Sequence, residues 1–175
     1  QGGEAKTIYC RLTNKANDKP FSIGFENIFS TRKQEADDFY NTILPSGISA
    51  DRKNIQRQAL AGLLWSKQYY HFDVATWLST SDGITPVNIG KQKGRNSDWT
   101  HLKNQDIISM PDKWEYPWYA AWDSAFQSIA MAMVDVTFAK HQLLLIMREW
   151  YMKPDGQLPA YEWNFGDVNP PVHAW

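Results

Sequence analysis

Asp123 lies in the stretch "WEYPWYAAWDSAF", residues 114–126, where Trp114, Tyr116, Trp118, Tyr119 and Trp122 all fall within the nine residues before it. Ring faces lower the local polarity. A carboxyl group set among them is penalised in its charged form, so its pKa rises and it can serve as a proton donor near neutrality. The same placement has a plainer reading, an acid in the first turn of a helix stabilised by the positive end of the dipole. Asp106, Asp112, Glu115, Glu162 and Asp167 are also interleaved with aromatic residues. For Glu162, in "PAYEWNFGD", the plainer reading is a loop carboxylate that accepts backbone N–H bonds. Nine Trp in 175 residues is several times an ordinary share. So dense a set of rings suits either a packed core or a cleft that grips a flat, partly apolar ligand such as a sugar.

Other chemistries find no matching pattern. His71, His101, His141 and His173 are far apart in sequence, and no HxxxH or HExxH pair places two ligands on one helix face. No metal or cofactor is expected. Nucleophile-elbow, P-loop and dinucleotide fingerprints are missing, and "KQKGR" at 91–95 reads as a hydrated basic run in a Gly-rich loop. The formal charge of −1 gives no field that would draw the chain to nucleic acid or to anionic lipid. No apolar run approaches the roughly 20 residues that cross a bilayer. The single cysteine, Cys10, has no internal partner, which favours a reducing, cytoplasmic setting. Starting at Gln1 and stopping at "PPVHAW", the chain reads as a segment of a longer polypeptide.

These residues need elements to hold them. "TIYCRLTNK" alternates with period 2, which predicts a half-buried strand. Thr31 with Gln34 reads as a capping box for a first helix over about 31–43, ending before Pro45. Ser49 is the expected N-cap of a second helix that runs on as far as Leu78. Residues 79–106 have no sustained period and are rich in Gly, Asn and Ser, so a long functional loop or lid is expected there. Pro117 fits the first position of a helix that reaches Val134 and carries Asp123 in its opening turns. Asp135 is the expected cap of a further helix, stopped by "KPDG".

"ISMPDKWEYPWYAAWDSAFQSIAMAMVD" and "LLLIMREWYMKPDGQLPAYEWNFGDVNPPVHAW" closely resemble the family 63 glycoside hydrolases, in the branch containing mannosylglycerate hydrolase and glucosidase-like proteins. "ALAGLLWSKQYYHFDV" and "FENIFSTRKQEADDFY" resemble the same branch, so the likeness runs from Phe25 onward. The resemblance implies a mainly α fold, the first helical hairpins of an (α/α)6 toroid, preceded by the edge of a β-rich domain. Residues 1–22 would be the trailing strand of that domain, and residues 23–175 the N-terminal portion of the catalytic domain. It further implies inverting hydrolysis of α-glucosides or related α-linked sugars, with Asp123 as general acid. Trp114, Tyr116, Trp118, Tyr119 and Trp122 would line the sugar subsite, together with Gln157, Tyr161, Glu162 and Trp163. The family's catalytic base lies beyond this chain, so the remainder of the polypeptide would supply it and the fragment alone would be inactive. A non-catalytic carbohydrate-binding or scaffolding helical module is the alternative, with Asp123 merely holding sugar hydroxyls.

Overall fold

A computed structural model describes residues 2–79, 93–94, 97–158, 160–161 and 164–175. The chain divides into two compact units, Gln1–Gly47 and Ile48–Trp175.

In the first unit, α1 spans Ile23–Ile43 and closes when Leu44 donates its backbone N–H to Tyr40 O. Pro45 follows, and the residue before a proline avoids helical geometry. The expected capping box does not form, because Thr31 and Gln34 both lie inside this longer helix. The expected strand before it is not formed either. Ile8 and Leu12, the apolar side of the alternation, are exposed, and residues 4–13 are not part of a strand ladder among the described residues. What holds this segment is local: the rings of Tyr9, Phe21 and Phe25 meet at 5.3–6.5 Å, and Arg11 Nη1 donates to Pro20 O at 3.0 Å.

The second unit begins with α2, Ala50–Leu64, whose N-cap Ser49 accepts the Arg52 N–H on its hydroxyl, while Asp51 sits at the positive end of the dipole. The helix does not continue to Leu78. Trp65 caps it through a backbone bond to Ala61 O, and the aromatic run "KQYYHFD" becomes β1, Lys67–Asp73. Such residues fit a pleated, half-buried surface better than a helix. β1 pairs antiparallel with β2, Lys103–Ser109, in the register Lys67↔Ser109 to Asp73↔Lys103. Between them Asp73 caps the short α3, Val74–Ser79, by accepting the Thr76 N–H at 3.0 Å. That backbone bond holds the Asp73 carboxyl below its usual pKa.

The strand pair corrects the expected loop over 79–106 as well as the helix. Trp99 and Leu102 are fully buried and Lys103–Asp106 belongs to β2, while residues 80–92, 95 and 96 of the expected lid lie outside the described residues. α4 spans Ala121–Met131 and starts four residues after Pro117, on the uncapped Ala120. α5 spans Val136–Ile146 and is capped by Asp135, which accepts the Phe138 N–H at 3.0 Å. Single 3-10 turns follow at Glu149–Tyr151 and Val172–Ala174.

Five α-helices and one two-stranded antiparallel sheet, among the described residues, make a mixed α/β architecture. This overturns the expected mainly α fragment of a toroid preceded by a β-domain edge. The core lies in the second unit, where Trp99, Ile108, Trp118, Tyr119, Leu145 and Tyr151 pack together with almost no exposure. Burying each of these large side chains contributes about 1.5–3 kcal/mol. A line of polar contacts ties the hairpin to the helices. Ser109 Oγ donates to Gln127 Oε1 of α4 at 2.7 Å, and Gln142 of α5 is buried against β2. No helix among the described residues is long and apolar enough to cross a membrane.

Candidate functional site

Asp123 occupies the first turn of α4 and is half-buried. Its neighbours in that turn face inward: Ser124 Oγ donates to Tyr119 O at 2.9 Å and Ala121 is fully buried, so the turn is fixed from its core side. Among the described residues no cation pairs with the Asp123 carboxylate and no donor bonds to it.

The rings expected around it separate into two groups. Trp118 and Tyr119 turn into the core, their ring centroids 3.9 Å apart, and Tyr119 donates its hydroxyl hydrogen to Tyr151 O at 3.3 Å. They position α4 from beneath. Trp114, Tyr116 and Trp122 lie toward the surface, Trp114 with 87% of its area exposed.

Trp122 forms one wall of a cleft of about 290 Å³, faced by Tyr161, Asp167, Val168 and Pro170. This is near the lower end of the size range of small-molecule sites, roughly 300–1,000 Å³. Two aromatic residues and a carboxylate meet there. Stacking faces and hydroxyl acceptors are the groups that hold a sugar ring. Gln157 shapes this cleft from behind, because its Nε2 donates to both Phe165 O at 3.1 Å and Asp167 O at 3.2 Å and so closes the loop on itself. Asn164 Nδ2 adds a bond to Asp167 Oδ2 at 2.8 Å, and Asn169 Nδ2 bonds Leu158 O. Glu162 and Trp163 lie outside the described residues.

Trp114 belongs to a second cleft, of about 340 Å³, with Ser66, Asp112, Lys113 and Gln127. Asp112 Oδ1 accepts the backbone N–H of Trp114 at 2.9 Å and of Glu115 at 3.1 Å, a turn that fixes where the indole leaves the chain. Those two bonds, Trp114 first, hold the Asp112 carboxyl below its usual pKa, so it is an anion and an acceptor at neutral pH. Asp106, another of the carboxylates among rings, accepts from the Tyr151 hydroxyl at 3.0 Å.

The structure thus brings Trp122, Tyr161 and Asp167 to one cleft, with Gln157 holding the loop that carries Asp167, while Asp123 shares the helix turn of Trp122 without lining that cleft. It sends Trp114 to another cleft and Trp118 with Tyr119 to the core. Ser66 and Gln127 had no signal in the sequence, because Ser66 meets Ser109, which in turn meets Gln127, only through contacts 43 and 18 residues apart. Asp167 carried the weak signal of a carboxylate among rings.

No family model matches the chain, and no solved structure matches it. An uncharacterized protein of Saccharomyces cerevisiae is 49% identical to it over 183 residues, an alignment that takes in 99% of this chain. The chain spans 17% of the length of that yeast relative.

Proposed function

We propose that this chain carries the proton donor of a glycoside hydrolase of the family 63 kind, acting by inversion on α-glucosides or related α-linked sugars. The observation that carries the reading is Asp123, half-buried and unpartnered among the described residues, on the same helix turn that presents Trp122 to a cleft with Tyr161 and Asp167. Trp122 and Tyr161 take the faces of a pyranose, and Asp167 accepts its hydroxyls. Protonated Asp123 then gives its proton to the glycosidic oxygen as the bond to the anomeric carbon breaks. A carboxylate about 6.5–9.5 Å away activates water on the opposite ring face. That base comes from elsewhere in the longer polypeptide, which also makes the setting of the reaction a property of the whole protein. The single thiol, Cys10, exposed and unpaired, supports a cytoplasmic one.

The test is Asp123→Asn in the full-length polypeptide, assayed on an α-linked disaccharide and on the matching glycosyl fluoride. General acid catalysis contributes typically 10²–10⁴-fold, so the variant loses that much on the disaccharide. Fluoride leaves without a proton, so turnover of the fluoride survives. Near-normal disaccharide hydrolysis removes the assignment. Saccharide binding that is weakened by the substitution, with no turnover in the parent, identifies a carbohydrate-binding module instead.

A further inference from the structure

The outward face of α4 and α5 is apolar where a surface pair of helices should be polar. Ile129, Met133, Val136, Leu144 and Met147 each expose about half their area, and Trp175 exposes 86%. Of these, Ile129, Val136 and Trp175 meet along one groove. Between the two helices runs a groove of about 230 Å³ lined by Ala125, Ile129, Ala132, Val136, Leu143 and Trp175, with Lys140 as its one fully charged side chain. Alanines at 125 and 132 keep the floor low, so another backbone can approach closely and set its side chains between the two helices. Contiguous apolar surface of this kind marks an interaction site, because leaving it in water forfeits about 25 cal/mol for every Å² that a partner would cover.

We infer that this groove is the seat of an amphipathic helix from the same polypeptide, contributed by chain outside these 175 residues. The choice of occupant rests on length. The yeast relative is 49% identical to this chain over an alignment that takes in 99% of the chain, yet more than four fifths of that relative lies outside the match. A polypeptide so much longer has the apolar helices at hand, and a covalently linked one is present at high effective concentration. Its seat takes apolar side chains at i, i+3 or i+4, and i+7. The low charge of the groove fits such a ridge better than it fits a charged or sugar ligand.

The experiment uses the full-length native polypeptide. Ile129→Cys and Val136→Cys are each labelled with a thiol reagent, and modification of that peptide is followed by mass spectrometry against the same variant unfolded in urea. Labelling slowed at least 30-fold in the native protein, and independent of protein concentration, is the expected result. Labelling within threefold of the unfolded rate overturns the inference, and so does protection lost on dilution, which would make a second copy the occupant. Should the cysteine variants fail to fold, hydroxyl-radical footprinting of the unaltered protein reads the same groove through Trp175. Oxidation there at unfolded rates overturns the inference equally.

Discussion

Gln142 of α5 completes the outer edge of β2 at Ser109: its Oε1 accepts the Ser109 N–H at 3.0 Å while its Nε2 donates to Ile107 O at 3.0 Å. One side-chain amide thereby stands where the peptide group of a third strand would be. Because Gln142 and Ser109 are both almost fully buried, removing the amide orphans the Ser109 N–H where water cannot reach it and also leaves Ile107 O without this bond. Gln142→Leu, which keeps the bulk and loses both bonds, is expected to cost about 2–4 kcal/mol by denaturant titration, and Gln142→Glu, which keeps only the acceptor, about as much or more. A loss under 0.5 kcal/mol for the leucine variant would contradict this role.

Tyr151 is fully buried, and its hydroxyl donates to Asp106 Oδ2 at 3.0 Å. Burial first, and the nearby Asp106 charge second, push its pKa well above the usual 10.0. A folded-state pKa raised above the unfolded one contributes stability that is complete below pH 10 and is lost as the pH climbs beyond it. The stability of the parent is therefore expected to fall steeply above about pH 10. Tyr151→Phe should flatten that fall, as measured by urea unfolding between pH 8 and 11. An unchanged alkaline slope would show that Tyr151 titrates freely.

Asp135 has two jobs, capping α5 through Phe138 N–H and bonding Lys67 Nζ of β1 at 2.7 Å. The Lys67 bond first, and the cap second, lower its pKa. A depressed carboxyl contributes stability above its unfolded value, here 3.8, and that stability is lost as pH falls through and below it. Asp135→Ala is expected to cost about 1 kcal/mol at neutral pH, the usual value of an N-cap. Asp135→Asn keeps the cap and loses only the ion pair, which is partly exposed and so worth little. Thermal melts at pH 7 and pH 3 separate the two terms, and equal losses for both variants would refute the capping role.

Trp118 and Trp114 are four residues apart and should behave oppositely. Trp118→Ala opens a cavity in the core and is expected to cost about 3–5 kcal/mol. Trp114→Ala changes stability by no more than about 0.5 kcal/mol, since its indole stands mostly in solvent. Chemical denaturation of both variants checks the contrast. A Trp114 variant as damaged as the Trp118 one would mean that its indole is held in the native protein.

What was legible in the chain was local. Ser49 and Asp135 cap their helices because a cap needs only the three residues that follow it. Asp123 does open a helix for the same reason. The hairpin was not legible, since β1 and β2 are separated by a helix and a long connection, and the stripe of α2 happens to extend in phase to Tyr70. Nor could sequence sort the rings. Trp118 and Trp122 share a helix face by count, but only packing against Trp99 and Tyr151 sends one inward and leaves the other on a cleft.

The amide of Gln142 also decides how the ladder can grow. With Ser109 N–H and Ile107 O taken by that amide, an incoming strand finds no backbone partner at this end of β2, whether from a partner or from a misfolded copy. The other flank of the ladder is the β1 side. It is bracketed by Lys67 and Asp73, both held in ion pairs, so fibrillar self-templating is opposed on one flank by an occupied edge and on the other by charge.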